Sequence, residues 1–110
     1  MIIDYDKIEK QILPNFKGGE KETEAKMFVD DNNRLMMGRL IPGASLGLHK
    51  HEGSSETIYI LEGKGKVLYE GEYETVEAGT VHYCPEGCSH ALINDSDADL
   101  KFFAVIPQHK

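Results

Sequence analysis

Punctuation constrains this chain most. Short apolar runs alternate with glycine, proline and Asp/Asn turn residues, and 11 glycines fall in 110 residues, most of them between those runs. An α-helix needs apolar residues at spacings of three and four over ten or more positions, whereas short alternating runs bounded by turn residues make strands. From Ala25 the chain reads as strand after strand. Residues 25–30 end in Asp30-Asp31-Asn32-Asn33, a strong turn signal, and residues 34–41 end in Pro42-Gly43. Residues 56–62 and 64–69 flank Gly63 as a hairpin, and residues 73–76, 81–84, 90–94 and 100–106 complete the series. Strands recurring roughly every 8–12 residues indicate an all-β sandwich or closed barrel.

The last run is apolar on both faces, with Phe102 and Ala104 on one and Phe103 and Val105 on the other. Such a strand is covered on both sides, by the barrel and by a further layer or a second subunit. That strand and the N-terminal segment supply candidate contact surfaces, and a homodimer is expected. The segment before the strands is ambiguous. Tyr5, Ile8 and Ile12 fit a helical stripe, while Pro14 and Gly18-Gly19 confine any helix to about residues 4–13. The expectation is one barrel domain over residues 25–110, with residues 1–24 packing on it as a short helix or an extended arm.

The charge balance excludes several classes of partner. The net charge is −7, and the only arginines are Arg34 and Arg39, so no basic stripe exists for nucleic acid or an anionic membrane. No apolar run approaches the roughly 20 residues of a membrane span. The opening Met1-Ile2-Ile3-Asp4 lacks the basic and then apolar pattern of a signal peptide, so a cytoplasmic protein is expected. In that setting Cys84 and Cys88 read as a buried small thiol and a turn residue rather than a disulfide. The sharper alternative places one thiol beside a metal.

That metal is suggested by His49, His51, Glu56 and His90. His49 and His51 are separated by one residue, a spacing that puts both on one face of a strand. Three imidazoles and a carboxylate suit one divalent transition metal, and ligand type alone does not separate Fe, Mn, Ni, Co, Cu and Zn. A lone histidine is more often a hydrogen-bonded or surface residue, and His82 and His109 are read in that way.

The residues around these four follow a recognisable frame. Gly43, His49, His51, Glu56 and Gly63 stand at the spacings of the first cupin motif. Gly79, Pro85, Gly87, His90 and Asn94 stand at those of the second, after 15 intervening residues. Over Gly43–Asn94, 52 of the 110 residues, the chain thus resembles the small single-domain microbial cupins. The resemblance implies a double-stranded β-helix, the cupin jelly-roll barrel, with His49, His51, Glu56 and His90 as metal ligands. It also implies that Gly43, Gly63, Gly79 and Gly87 sit in turns of unusual backbone angle or close packing.

Further expectations concern the pocket. If Glu56 and His90 point inward, so should Ile58, Ile60 and Leu92, giving a largely apolar wall. Tyr83, Asn94 and the thiols are candidates for orienting the imidazoles. Arg34 and Arg39 sit five apart on one strand and so face opposite ways; one of them could meet a carboxylate or phosphate of a ligand. The favoured reading is a metal-dependent enzyme acting on a small molecule, of dioxygenase, decarboxylase or isomerase type. The alternatives are a non-catalytic module for a sugar or organic acid, and a barrel stapled by its metal.

Overall fold

The computed structural model describes residues 1–109. Ten strands run in chain order: β1 (Gln11–Pro14), β2 (Glu22–Val29), β3 (Asn33–Leu40), β4 (Ser45–Lys50), β5 (Glu56–Glu62), β6 (Lys64–Tyr69), β7 (Glu72–Glu77), β8 (Val81–Cys84), β9 (Ser89–Ile93) and β10 (Leu100–Pro107). They form a six-stranded sheet in the order β1-β2-β3-β10-β5-β8 and a four-stranded sheet in the order β4-β9-β6-β7. Every pairing is antiparallel. The two sheets face each other as a jelly-roll, the all-β architecture expected from the punctuation. Among the described residues no helix is long and apolar enough to cross a membrane.

Strand alternation sets which residues face the barrel interior. On β3 the even residues face inward, from Arg34 through Met36 and Gly38 to Leu40. On β5 Glu56, Ile58 and Ile60 do the same. Phe102, on β10, is fully buried, and its ring lies over Gly38 of the neighbouring strand β3. Gly38 is its complement: a Cβ there would lie 2.3 Å from the Phe102 ring. Ile60, Val67, Leu92, Leu100 and Leu40 are buried in the same apolar cluster, which forms a close-packed core. At the other end of the barrel the inward residues include Arg34, Met36, Glu56 and Ile106 together with the histidines.

The glycines of the two motifs adopt the expected conformations, with φ between +84° and +90° at Gly43, Gly63, Gly79 and Gly87. Gly63 is doubly constrained, because a Cβ would also approach the Asp99 carbonyl oxygen at 2.3 Å. Asn94 ties down loops: its amide donates to the carbonyls of Leu40 and Ala98, both at 2.8 Å.

The N-terminal segment is not the helix allowed over residues 4–13. It makes one 3-10 turn at Tyr5–Lys7 and then β1, which pairs from Gln11↔Ala25 to Pro14↔Glu22. The open edge of β2 supplies backbone partners that outweigh a weak helical stripe, and Pro14 is tolerated at the end of an edge strand. Tyr5 packs edge-on against Phe103 with ring centroids 5.8 Å apart, and its hydroxyl donates to the Leu35 carbonyl. The segment thereby covers part of the outer face of β10, the second apolar face noted in the sequence. A second turn at Phe16–Gly18 presses backbone to backbone on β4, where a Cβ on Gly47 would meet the Lys17 carbonyl at 2.0 Å.

Candidate metal centre

Three strands and one loop bring four donors to a point. β4 and β9 are paired so that His49 lies opposite His90, across an irregularity between Leu46 and His49. His51 follows β4, and Glu56 opens β5. The ligating atoms of His49, His51, Glu56 and His90 all lie within 4.8 Å of one another. Glu56 Oε1 is 3.0 Å from His51 Nε2, 2.9 Å from His90 Nε2 and 3.9 Å from His49 Nε2. His51 Nε2 and His90 Nε2 are themselves 3.0 Å apart.

These distances suit a cation. Two bare nitrogen lone pairs at 3.0 Å repel unless a proton or a metal lies between them. Ligands held about 2.1 Å from a metal and at right angles to one another stand about 3.0 Å apart. Burial would raise the Glu56 carboxyl, but hydrogen bonds from His51 and His90, followed by their charges, hold it down to about 2. Burial lowers His49, with the charges of His90 and His51 acting in the same sense and its bond to Gly47 opposing them. The cluster thus favours an ionised carboxylate and an unprotonated His49, the forms a metal needs.

Each imidazole is held from behind by its other nitrogen. His49 Nδ1 donates to the Gly47 carbonyl at 2.7 Å, which leaves Nε2 as the bare donor. His51 Nδ1 stands 3.0 Å from the Ser54 hydroxyl, and His90 Nδ1 stands 3.0 Å from His82 Nε2. Such partners fix tautomer and ring orientation. Of the orienting groups expected from the sequence, Tyr83 points outward and is 56% exposed, and the Asn94 amide is committed to loop carbonyls. His82, read there as an ordinary histidine, is buried and touches His90. Strand parity was the available signal: His82 sits opposite Ile58, and Cys84 opposite Glu56, so both face inward. Burial, then the charge of His90, brings His82 down to about 4.

The thiols lie outside the cluster. Burial, then nearby negative groups led by Cys88, pushes Cys84 up to about 12. Its S–H is directed at the carbonyls of Cys88 and Pro85. Cys88 lies in the turn and accepts from the Tyr69 hydroxyl at 3.6 Å. His109 ties the C-terminal end to this region, bonding Ser55 Oγ through Nε2 and Glu86 through Nδ1.

A cavity of about 370 Å³ opens onto the cluster and is lined by His49, His51 and Glu56. Its apolar wall is Phe16, Met36, Leu46 and Ile106 rather than Ile58, Ile60 and Leu92, which belong to the solid core. The inward alternation is as expected for those three, but they are buried within the core cluster. Arg34 lines the cavity together with Lys17, Lys50 and Glu52. Arg39 faces away and pairs with Glu24 and Asp99.

A family model described as a cupin domain matches residues 36–106. A curated relative, the oxalate-binding protein of Thermotoga maritima, is 37% identical over 112 residues, covering 96% of this chain and 93% of its own. A crystal structure of a predicted oxalate decarboxylase from Thermotoga maritima superposes with a TM-score of 0.92 at 33% identity, covering 98% of this chain and 99% of that one. The polyketide cyclase RemF from Streptomyces resistomycificus shares the fold alone, with a TM-score of 0.80 at 24% identity over 97% of this chain and 78% of its own.

Proposed function

The chain belongs to the cupin family, and from that premise we propose that it holds one divalent transition metal at His49, His51, Glu56 and His90 and uses it to bind a small organic acid of the oxalate class. The observation that carries this reading is the convergence of three imidazoles and one ionised carboxylate at a cavity whose wall also bears Arg34 and Lys17. The relative named for oxalate binding supports the choice of acid. A bound metal would supply a Lewis acid for the ligand's carboxylate. The chain's own groups would orient that carboxylate, and the apolar wall would exclude water from it.

A catalytic version, as a metal-dependent enzyme, has one observation in its favour. Glu52 is a carboxylate on the cavity wall outside the donor cluster, 3.8 Å from Lys50. A homodimer belongs to the same reading. Tyr59, Leu61, Val81 and Tyr83 are exposed on the adjoining strands β5 and β8 and offer an apolar contact face.

The test is direct. Protein purified without an affinity-column metal is assayed for metal content and then titrated with oxalate by calorimetry, with and without prior chelation. Stoichiometric metal and metal-dependent oxalate binding are expected. Fully metal-loaded protein that ignores oxalate and other small acids would refute the proposal. Loss of oxalate over hours, with product release, separates enzyme from binding module.

A further inference from the structure

The cavity is too large and too cationic for oxalate alone. Its volume of about 370 Å³ equals the liquid volume of about a dozen waters, whereas oxalate has only six heavy atoms. The wall beyond the donor cluster is apolar at Met36, Leu46 and Ile106, a surface that a two-carbon acid has no methylenes to match. The chain carries −7 overall, yet the cavity wall holds three cations, Arg34, Lys17 and Lys50, against two carboxylates, Glu52 and Glu56. Lys50 is paired with Glu52, and Lys17 lies over the Phe16 ring. Arg34 is half-buried, faces inward from the mouth end of β3, and makes no side-chain hydrogen bond or ion pair among the described residues. Arg39, five positions along, has both its carboxylate partners. A half-buried guanidinium left unpaired in a concave site is a fork aimed at an anion.

We propose that the preferred ligand is a dicarboxylate longer than oxalate, bound by one end at the His49, His51, Glu56 and His90 cluster and held at the other by Arg34. The inference rests on the metal-and-acid reading above and adds the ligand's length and its second anchor. The methylenes between the two carboxylates lie against Met36, Leu46 and Ile106. Arg34 is on this account the residue that distinguishes a diacid from a monoacid.

The test uses the metal-loaded full chain, titrated by calorimetry with oxalate, succinate, glutarate and adipate, and with butyrate, pentanoate and hexanoate as monoacids of matched length. The wild type should bind at least one longer diacid more tightly than oxalate. Arg34→Gln should weaken that diacid by about 10- to 100-fold, the range of a charge-assisted hydrogen-bonded pair, and the diacid preference over the matched monoacid should collapse. Arg34→Lys keeps the charge but loses the fork, and should fall between the two. Metal content and melting temperature, measured on each variant, exclude a folding defect. Oxalate binding at least as tightly as every longer diacid would overturn the length argument. An R34Q protein with unchanged diacid affinity would overturn the role of Arg34 while leaving metal-dependent acid binding intact. Absence of metal-dependent binding for every acid would instead bring down the underlying reading, and this inference with it.

Discussion

Removing the acceptor behind His90 should weaken metal binding without unfolding the barrel. With His90 Nε2 turned to the donor cluster, its Nδ1–H donates to His82 Nε2 at 3.0 Å. Both rings are buried, at 1% and 7% exposure, so no solvent replaces a lost acceptor. His82 is held well below the usual imidazole range, to about 4, by burial first and the charge of His90 second, so it is neutral and can accept at pH 7. His82→Phe keeps a ring against Tyr69, whose centroid lies 5.6 Å from that of His82, but leaves the His90 N–H unsatisfied. A buried unsatisfied donor costs about 1–3 kcal/mol. At about 1.4 kcal/mol per decade this corresponds to roughly 5- to 150-fold, overlapping the 10- to 100-fold commonly lost with an outer-sphere partner. The assay is competition for cobalt(II) or zinc(II) against a fluorescent chelator, with circular dichroism as the check on folding. His82→Gln can restore an acceptor and should recover part of the affinity. A folded H82F protein binding metal within twofold of wild type would refute the argument that this hydrogen bond orients His90.

His49→Ala and His51→Ala should each abolish stoichiometric metal by elemental analysis, and retention of full metal in both would show the ligand assignment to be wrong. Gly38→Ala would drive a Cβ into the Phe102 ring and should cost about 1–3 kcal/mol in urea denaturation; an unchanged midpoint would mean that the barrel centre is looser than its packing implies. Burial alone would raise Glu24, but its hydrogen bond to Arg39, then that to Lys10, brings the carboxyl below its ordinary value. A lowered carboxyl stabilises fully above its unfolded value of about 4.3 and loses that contribution as pH falls through the folded one, so Arg39→Ala should flatten the acid limb of the stability curve. Since Arg39 is 38% and Glu24 23% exposed, the effect should stay under about 1 kcal/mol, and a larger loss at pH 7 would contradict that screening. Sedimentation at micromolar concentration should show a dimer that Tyr83→Asp weakens; monomer alone in the wild type would remove the dimer from the reading.

What the sequence disclosed, and what it withheld, follows from which interactions are local. Turns are local: a glycine with φ near +87° has to be glycine wherever it occurs, so Gly43, Gly63, Gly79 and Gly87 were legible and set the strand ends with them. The donor residues were legible because they stand at fixed distances from those turns. The N-terminal segment stayed open between helix and extended arm because the stability of β1 comes from the edge of β2, a partner that no periodicity in residues 11–14 reveals. His82 was missed for a related reason. Its burial depends on the register that sets it opposite Ile58, and that register is decided by the neighbouring strand. The cavity wall was misassigned because alternation reports which side of a strand faces inward but not how far the interior is filled. Ile58, Ile60 and Leu92 do face inward, but they are buried in the apolar core cluster and do not line the cavity. The buried apolar cluster therefore confines the chemistry to the end of the barrel where His49, His51, Glu56 and Arg34 line the cavity.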